Sequence, residues 1–371
     1  MTIPEYVVLV VFGLSFLLQM IYYWLVFGRL AFYRPKETTQ KQLPPVSVVI
    51  SARNEYHNLL NNLPLILDQD YPEFEVVVVN HASSDETALY LKELQQKNDQ
   101  LKVVQIDREL NFFTGKKFPL SLGIKSAKYE ILLLTDADCS PAGTNWIGSI
   151  VKNYNDDTEV VLGYGPYKKA KGFVNKLVRY DTFIVAMQYL SFAIVGLPYM
   201  GVGRNLSYKR SMFFRNKGFT SHYKIPSGDD DLFINQVAKR KNTRVSVDQA
   251  GFMYSEAKES FGTWVTQKER HLGTGGHYKS KFKILLGMYS ISQLFFFTSF
   301  IILIVLRIYL IYILIAFVFR LFTQFIINKK VLDRFAERKL LLSSLLLEIF
   351  HMLIIQTITI ISVFRKTSKW K

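Results

Sequence analysis

The chain has 371 residues, of which 49% are hydrophobic, and its formal net charge at pH 7 is +16. Its single cysteine, Cys139, excludes an intrachain disulfide, which suits a cytoplasmic domain. A basic chain can bind nucleic acid, but no nucleic-acid motif is present. Much of the Lys and Arg lies beside apolar segments, where anionic lipid would attract it, so the composition favours a membrane protein.

The first predicted element is a membrane anchor. Residues 6–27 contain no charged side chain, and a helix needs roughly 20 apolar residues to cross a hydrocarbon core. The start lacks the basic residues and the small-residue cleavage site of a signal peptide. Basic residues follow the apolar stretch instead, at Arg29, Arg34, Lys36 and Lys41. The positive-inside rule therefore predicts that residues 1–30 form an anchor with an external amino terminus and a cytoplasmic chain after it.

Residues 44–283 have the pattern of a globular α/β domain. Short apolar runs rich in β-branched residues predict strands, and the intervening patterns predict helices. The predicted strands are 46–51, 74–80, 101–106 and a run that starts at 131, and the predicted helices are 59–67, 85–96 and 116–128. Their alternation predicts a mostly parallel sheet that is covered on both faces.

Polar residues follow the predicted strands, as "ARNE" after the first, "NHASSDE" after the second and "DADCS" after the fourth. Ligands bind at the carboxyl ends of the strands in such sheets. Asp136 and Asp138 are two residues apart in an extended segment, so they project to the same side. Two carboxylates there would raise each other's pKa unless a cation joined them. A hard divalent cation, Mg²⁺ or Mn²⁺, fits this pair. An ordinary Asp-rich turn is the alternative.

Six motifs occur in an order that resembles the GT-A domain of family-2 glycosyltransferases. They are "VSVVISARNE", "VNHASSDET", "GKKFPLSLGIKSAKYEILLLTDAD", "GVGRNLSYKR", "GDDDLFIN" and "QKERH", and the resemblance covers residues 46–271. It implies a Rossmann-like cytoplasmic domain that transfers a sugar from a UDP- or GDP-sugar to an acceptor hydroxyl with inversion. The metal would act as a Lewis acid on the departing diphosphate.

The resemblance also implies residues that bind the donor. Arg53 and Glu55 would border the nucleoside. His81 stands where the family usually has an aspartate that faces the base, or it is a loop residue that makes a local hydrogen bond. Lys116 and Lys117 begin a helix, where cations and the helix N-terminus can meet a diphosphate, or they are simply solvated. The implied donor-binding residues are Arg53, Glu55, His81, Lys116, Asp136, Gln267 and Arg270. Gln267 and Arg270 share a face of a helix predicted at 261–271.

On the acceptor side, Gly203 and Asn205 either approach the sugar or form a turn. His271 replaces the tryptophan of a Q-x-x-R-W motif that stacks on the acceptor sugar in processive synthases. A smaller ring favours the addition of one or a few sugars. The next residues, "GTGGH", resemble a loop that closes over the donor, with a plain linker as the alternative.

The catalytic base is predicted in "GDDDLFIN", at the start of a helix expected over 232–239. Inversion requires a group that takes the proton of the acceptor hydroxyl, and a carboxylate can do so. Alignment on Asn235 favours Asp230, and alignment on Leu232 favours Asp229. We prefer Asp230, although aspartates here can also merely cap the helix.

The carboxyl-terminal region, 284–364, is predicted to hold two or three membrane segments. The candidates are 284–306, 308–327 and 340–364. If all three cross, the basic tail lies outside, so one of them would be re-entrant or interfacial. Glu348 and His351 are expected to pair with a neighbouring helix.

The sequence therefore predicts a metal-dependent glycosyltransferase held at the membrane, with a lipid-linked or cell-envelope glycan as acceptor. Two other functions stay open: a nucleotidyltransferase on a similar sheet, and a catalytically silent protein that binds nucleotide sugars.

Overall fold

The computed structural model describes residues 2–35, 43–107 and 115–364. The basic residues Lys36 and Lys41, like the basic tail after residue 364, lie outside these ranges. Every structural statement below concerns the described residues.

The described residues form nine strands. They are β1 (Val46–Ala52), β2 (Phe74–His81), β3 (Leu101–Ile106), β4 (Ile131–Asp136), β5 (Cys139–Pro141), β6 (Val160–Leu162), β7 (Leu206–Lys209), β8 (Thr243–Val245) and β9 (Met253–Ser255).

The α-helices in the same residues begin at the amino terminus, where α1 (Ile3–Ile21) continues through a π-helical segment (Tyr22–Phe27) into α2 (Gly28–Ala31). The others are α3 (Tyr56–Leu67), α4 (Thr87–Lys97), α5 (Lys117–Ser126), α6 (Trp146–Val151), α7 (Phe173–Ile194), α8 (Arg210–Arg215), α9 (Asp231–Val237), α10 (Phe261–Gly275), α11 (Ser280–Val305), α12 (Leu310–Arg334) and α13 (Leu341–Phe364).

Seven strands form the central sheet, in the order β3-β2-β1-β4-β7-β6-β8. The first four in this order are parallel to one another, whereas β7 is antiparallel to both β4 and β6. The prediction of a mostly parallel sheet is therefore confirmed. Strands β5 and β9 form a separate antiparallel pair beside the end of β4.

The two faces of the sheet enter different hydrophobic cores, because successive residues of a strand point to opposite sides. Val48 and Ile50 of β1 pack into one core with α3 and α6, whereas Val49 packs into the other with α5 and α7. This second core also contains residues of the long apolar helices, among them Tyr22, Phe27, Leu30, Ile327, Val331 and Leu347. The sheet and the apolar helices therefore share one core.

Four helices are long and apolar enough to cross a membrane, judged by length and composition: residues Ile3–Ala31, Ser280–Val305, Leu310–Arg334 and Arg338–Ile361. They share a third apolar cluster that includes Phe12, Phe296, Ile313 and Met352. Between this cluster and the second core, buried Arg320 binds Glu348, with Nη1 and Oε2 2.7 Å apart. The predicted pairing of Glu348 with a neighbouring helix is thus found.

Some predicted boundaries shift. The helix expected over 116–128 begins at Lys117 and ends at Ser126, and the one expected over 232–239 spans Asp231–Val237. Helix α10 continues to Gly275, so the first part of the "GTGGH" stretch is helical instead of forming a loop.

Candidate active site

The paired aspartates lie where the sheet ends, as the sequence predicts. Asp136 is the last residue of β4, and Asp138 follows it directly before β5. Both are half-buried, and ligand atoms of Asp136, Asp138 and Cys139 all lie within 4.8 Å of one another. Asp138 accepts a hydrogen bond from Ser255 of the neighbouring β9 at 3.3 Å. The short pair β5–β9 therefore holds the second carboxylate beside the first.

A lysine compensates the charge of this pair. The Nζ of Lys116 donates to Oδ1 of Asp136 at 2.8 Å. Burial is the largest single influence and would raise the pKa of Asp136, but the charge and hydrogen bond of Lys116, together with the charges of Arg204 and Arg270, outweigh it and lower that pKa. Asp136 is thus an anion that already requires a cation at its side.

These donor atoms fit a hard divalent cation. Two carboxylates supply oxygen ligands, which Mg²⁺ and Mn²⁺ prefer. The thiol of Cys139 is fully buried, and burial raises its pKa well above the ordinary value, so it stays protonated and is a poor ligand. Asp136 and Asp138 would therefore hold the metal, while the Cys139 thiol donates a hydrogen bond to Oδ1 of Asp138 at 3.3 Å.

A second acid cluster faces the first. Asp136, Asp229 and Asp230 line one small recess together with Lys116 and Gly203. The carboxylate of Asp230 accepts from the main-chain amides of Gly203 and Asp231, each at 2.7 Å. Burial first, and then the charges of Asp229 and Asp231, raise the pKa of Asp230 to about 8. It caps α9, and it also has the proton affinity of a general base.

The neighbours of Asp230 differ in their contacts. Asp231 is buried and accepts hydrogen bonds from the hydroxyls of Thr274 and Tyr278, the latter at 2.8 Å. Asp229 has no side-chain hydrogen bond to another described residue, and burial raises its pKa. Asp231 therefore ties the end of α10 to the acid cluster, whereas Asp229 and Asp230 both face the recess.

Lys117 does not point towards the site, in contrast to the expectation for a diphosphate ligand. It is 1% exposed, and its Nζ donates to the carbonyls of His222, Ile225 and Ser227 at 2.6–2.8 Å. Burial lowers its pKa to about 8, although the three aspartates act in the opposite sense. Lys117 therefore fastens the segment that precedes Gly228 and the acid cluster.

A cavity of about 640 Å³ opens from both acid clusters towards the apolar helices. Gln267, Arg270 and His271 of α10 line it, as their spacing predicts. Gln267 donates to the hydroxyl of Tyr167 at 3.2 Å, and Arg270 has no hydrogen bond or ion pair to a described residue. Burial and the charges of Lys268 and Arg270 lower the pKa of His271 to about 3, so its ring is neutral.

Arg204 is a residue that the sequence reasoning missed. Its side chain lies over the ring of Tyr167 at 4.5 Å, donates to the carbonyl of Gly165 at 2.7 Å and lines the cavity. Its charge helps to lower the pKa of Asp136. The signal was present, because Arg204 lies inside the motif "GVGRNLSYKR", next to the residues that were named.

Gly203 and Asn205 begin and end a short 3-10 helix before β7. Gly203 faces Asp230, but Asn205 is fully buried, and its amide binds Trp146, Tyr164 and Gly251. The expected contact between Asn205 and an acceptor sugar is therefore not supported, since its hydrogen bonds hold the loop together.

The residues expected at the nucleoside lie at the ends of β1 and β2. Asn54 and Glu55 bind Ser83 and Thr87 across the two loops at 2.9 and 3.0 Å, and Arg53 precedes them. Burial raises the pKa of Glu55, and Asp138 and Asp136 act in the same sense. His81 is 4% exposed at the end of β2. The loops thus meet beside Asp136 and Asp138. Contact of Arg53, Glu55 and His81 with a nucleoside stays a prediction.

The sheet, the aspartates at the end of β4 and the facing acid cluster define a glycosyltransferase domain of the GT-A type. Residues 47–217 match the family model "Glycosyl transferase family 2", so this part of the chain is a domain similar to that family.

Relatives support this assignment. The chain is 25% identical over 241 residues to a probable glycosyltransferase of Bacillus subtilis (strain 168), YdaM, over 62% of this chain and 55% of that protein. It is 33% identical over 126 residues to a poly-beta-1,6-N-acetyl-D-glucosamine synthase of Staphylococcus epidermidis, over 31% of this chain and 29% of that protein. The matches thus span about half of the first relative and less than a third of the second.

One solved structure resembles almost the whole chain. It is the mannosyltransferase PcManGT of Pyrobaculum calidifontis, in complex with GDP-Man and Mn²⁺, with a TM-score of 0.58. The match covers 90% of this chain and 98% of that one at 17% identity. At this identity the likeness establishes the fold alone.

Proposed function

We propose that this protein transfers a sugar from a nucleoside-diphosphate sugar to the hydroxyl of a membrane-proximal acceptor, with inversion at the anomeric carbon. The observation that carries the proposal is the pair of facing acid clusters. Asp136, in the first cluster, has a lowered pKa beside Lys116, whereas Asp230, in the second, has a pKa raised to about 8. Both carboxylates line a single recess. The first suits a cation and a diphosphate, and the second suits proton uptake.

Each group has a distinct task in this reaction. Asp136 and Asp138 would hold a divalent cation, which would supply Lewis acidity to the leaving diphosphate. Lys116 and Arg270 add positive charge beside that leaving group. Asp230 takes the proton of the attacking hydroxyl on the opposite wall, and Gly203 holds the Asp230 carboxylate through its amide.

The comparisons support the donor class but leave the sugar open. PcManGT was solved with GDP-Man and Mn²⁺, and the Staphylococcus epidermidis relative is named as a synthase of an N-acetylglucosamine polymer. We therefore infer a UDP- or GDP-sugar as donor and Mg²⁺ or Mn²⁺ as cofactor. The acceptor would be lipid-linked or part of a cell-envelope glycan, because the cavity reaches the apolar helices.

The test uses purified full-length protein and a panel of UDP- and GDP-sugars, with Mg²⁺, with Mn²⁺ or with a chelator. Binding is measured as a rise in melting temperature, because a ligand of the folded state stabilises it. Turnover is measured as release of the nucleoside diphosphate. We expect one donor to give both effects, and only with metal.

The same assay separates the alternatives. Metal-dependent binding without turnover, even with membrane extract added, would indicate a catalytically silent binding protein. Release of a nucleoside monophosphate or of pyrophosphate would indicate a nucleotidyltransferase. The contacts of Asp231 with Thr274 and Tyr278 argue against that reaction, because they join the acid cluster to a helix that metal and phosphate chemistry alone does not require.

We further propose that the catalytic domain faces the cytoplasm and that the amino terminus lies outside. Single cysteines at Thr2 and at Lys97 of α4, both exposed, should react with an impermeant reagent from opposite sides of the membrane. Cys139 is fully buried and provides the unreactive background. Reaction of both positions from one side would contradict this orientation.

A further inference from the structure

The active-site cavity continues between two helices that are apolar enough to lie in a membrane. Its lining includes Leu286, Ser290 and Gln293 of α11, and Met352, Ile355 and Thr359 of α13. Spacings of three and four residues place each set along one helix face. At about 1.5 Å per residue, the cavity follows each helix for about 10 Å.

Four ionisable groups at this end of the cavity, Asp181, Lys268, Glu348 and His351, are held in ion pairs. Asp181 of α7 binds Lys268 and His351, the latter at 2.9 Å, and Glu348 binds Arg320. These pairs compensate their charges internally, so this end needs no charged ligand. Lys283 also lines the cavity, one turn into α11, where a lysine marks the level of the lipid headgroups. Leu286, Ser290 and Gln293 follow Lys283 along α11. Met352, Ile355 and Thr359 line the cavity from α13.

The cavity closes beyond Gln293. One turn further along α11, Phe296 and Phe297 are buried, and Phe296 stacks on Phe12 with ring centroids 5.2 Å apart. Both phenylalanines belong to the apolar cluster that also contains Met352. A polysaccharide leaving across the membrane would need a continuous polar path, and the packed rings close that direction. The lining therefore favours an acceptor that enters sideways from the bilayer.

We propose that the acceptor is an amphiphile whose uncharged, hydroxyl-bearing headgroup lies at Asp230 and whose hydrocarbon chain lies between α11 and α13. The inference rests on the proposed function. The acceptor oxygen forms a bond to the anomeric carbon while the bond from that carbon to the diphosphate breaks. The hydroxyl proton passes to the Asp230 carboxylate, and the products are a glycosylated lipid and the nucleoside diphosphate.

The variant Gly287→Leu tests the hydrocarbon site. Gly287 lines the cavity on α11, and a Cβ added there meets no atom within 4 Å, so the leucine occupies free space without displacing the helix. Gly13→Leu is the matched control, because it adds the same side chain to α1, also with no atom within 4 Å, and away from the cavity.

The probes are dodecyl and methyl glycosides of the same sugars, supplied with the donor identified above to protein in nanodiscs. For the unmodified protein and for Gly13→Leu, we expect the KM of each dodecyl glycoside to be at least about tenfold lower than the KM of the methyl glycoside of the same sugar. Gly287→Leu should lose most of this preference while its donor Kd is unchanged.

Equal KM values for both chain lengths in the unmodified protein, or a full preference retained in Gly287→Leu, would overturn the inference. If neither glycoside is glycosylated, the same comparison is made on inhibition of donor hydrolysis, and equal inhibition by both would also overturn it. Failure of the proposed function is distinct, because no donor would then show metal-dependent turnover even with membrane extract as a source of acceptor.

Discussion

The two acid clusters consist of the same side chain, yet their environments give them opposite proton affinities. Burial raises the pKa of aspartates in both. At Asp136 the charge and hydrogen bond of Lys116, with the charges of Arg204 and Arg270, together outweigh burial and lower the pKa, whereas at Asp230 two flanking aspartates add to burial and raise it to about 8. In the proposed mechanism, the neighbouring charges and not the residue type therefore decide which acid cluster suits a cation and which suits proton uptake.

Two consecutive lysines connect the two acid clusters. Lys116 binds Asp136 on the metal side, and Lys117 binds three carbonyls of the segment that leads to Asp229 on the other side. The turn before them is close to that segment as well, because Gly115, with φ of +87°, lies against the Pro226 carbonyl. The start of α5 thus sets the spacing between the clusters.

The largest effect on turnover should come from a substitution at the proposed metal ligands, Asp136 and Asp138. Asp138→Asn keeps the shape of the side chain but removes its charge, so the metal binds poorly and turnover should fall by roughly 10³-fold or more. Release of nucleoside diphosphate is measured at limiting Mg²⁺ or Mn²⁺. Asp157→Asn, at an exposed position, is the control and should behave as the unmodified protein. Unchanged turnover in Asp138→Asn at limiting metal would refute the metal site.

A smaller loss of turnover is expected from a substitution of the proposed base, Asp230. Asp230→Asn should lower kcat by about 10²- to 10⁴-fold, the usual range for a general base, with donor Kd retained. If Asp230→Asn keeps near-normal turnover and Asp229→Asn does not, the base is Asp229. If neither substitution matters, the inverting mechanism is wrong.

Substitution of Lys117, which lies between the two acid clusters, should lower the stability of the protein. Lys117→Gln leaves buried carbonyls without their charged donor, so the free energy of unfolding should fall by about 2–3 kcal/mol, and kcat should fall while donor Kd changes little. Both are measured beside Lys125→Gln, which changes an exposed lysine of the same helix and should have no effect. Equal stability of the two variants would show that the three contacts are unimportant.

The smallest effect is a difference in pH dependence. The pKa of Asp230 is about 8 in the folded protein and about 3.9 in the unfolded chain. Between these values the folded state keeps a proton that the unfolded state releases, so this group makes stability fall as pH rises. Asp230→Asn removes that loss. Its melting temperature, measured in chelator without donor, should exceed that of the unmodified protein by a margin that grows from pH 5 to pH 8, and a constant margin would contradict the raised pKa.

The donor half of the fold was largely predictable from the sequence, because its signals are local. The predicted strands 46–51 and 74–80 differ from β1 and β2 by one residue each, and Asp136 falls at the end of a continuous apolar run. In such a stretch, strand length, β-branched composition and the position of the first polar residue decide the structure without distant contacts.

The other half depends on contacts between residues far apart in the chain, which periodicity does not encode. Lys117 finds its acceptors 105 to 110 residues away, and Asp231 finds Thr274 and Tyr278 at separations of 43 and 47. Asn205 looked like a sugar ligand because it is polar within a loop motif, but the packing of Trp146 and Gly251 against it decides otherwise.

The core that joins Phe27 and Leu30 to Val331 and Leu347 has a consequence for how the chain is made. Phe27 and Leu30 precede the central strands in the chain, whereas Val331 and Leu347 follow them, and all four pack on the same face of the sheet. The central strands can pair during synthesis, but that face stays uncovered until α12 and α13 are in place. A shortened protein without its first 31 residues would keep Val49 and Leu132 while losing part of their cover, and it should aggregate instead of yielding a soluble catalytic fragment.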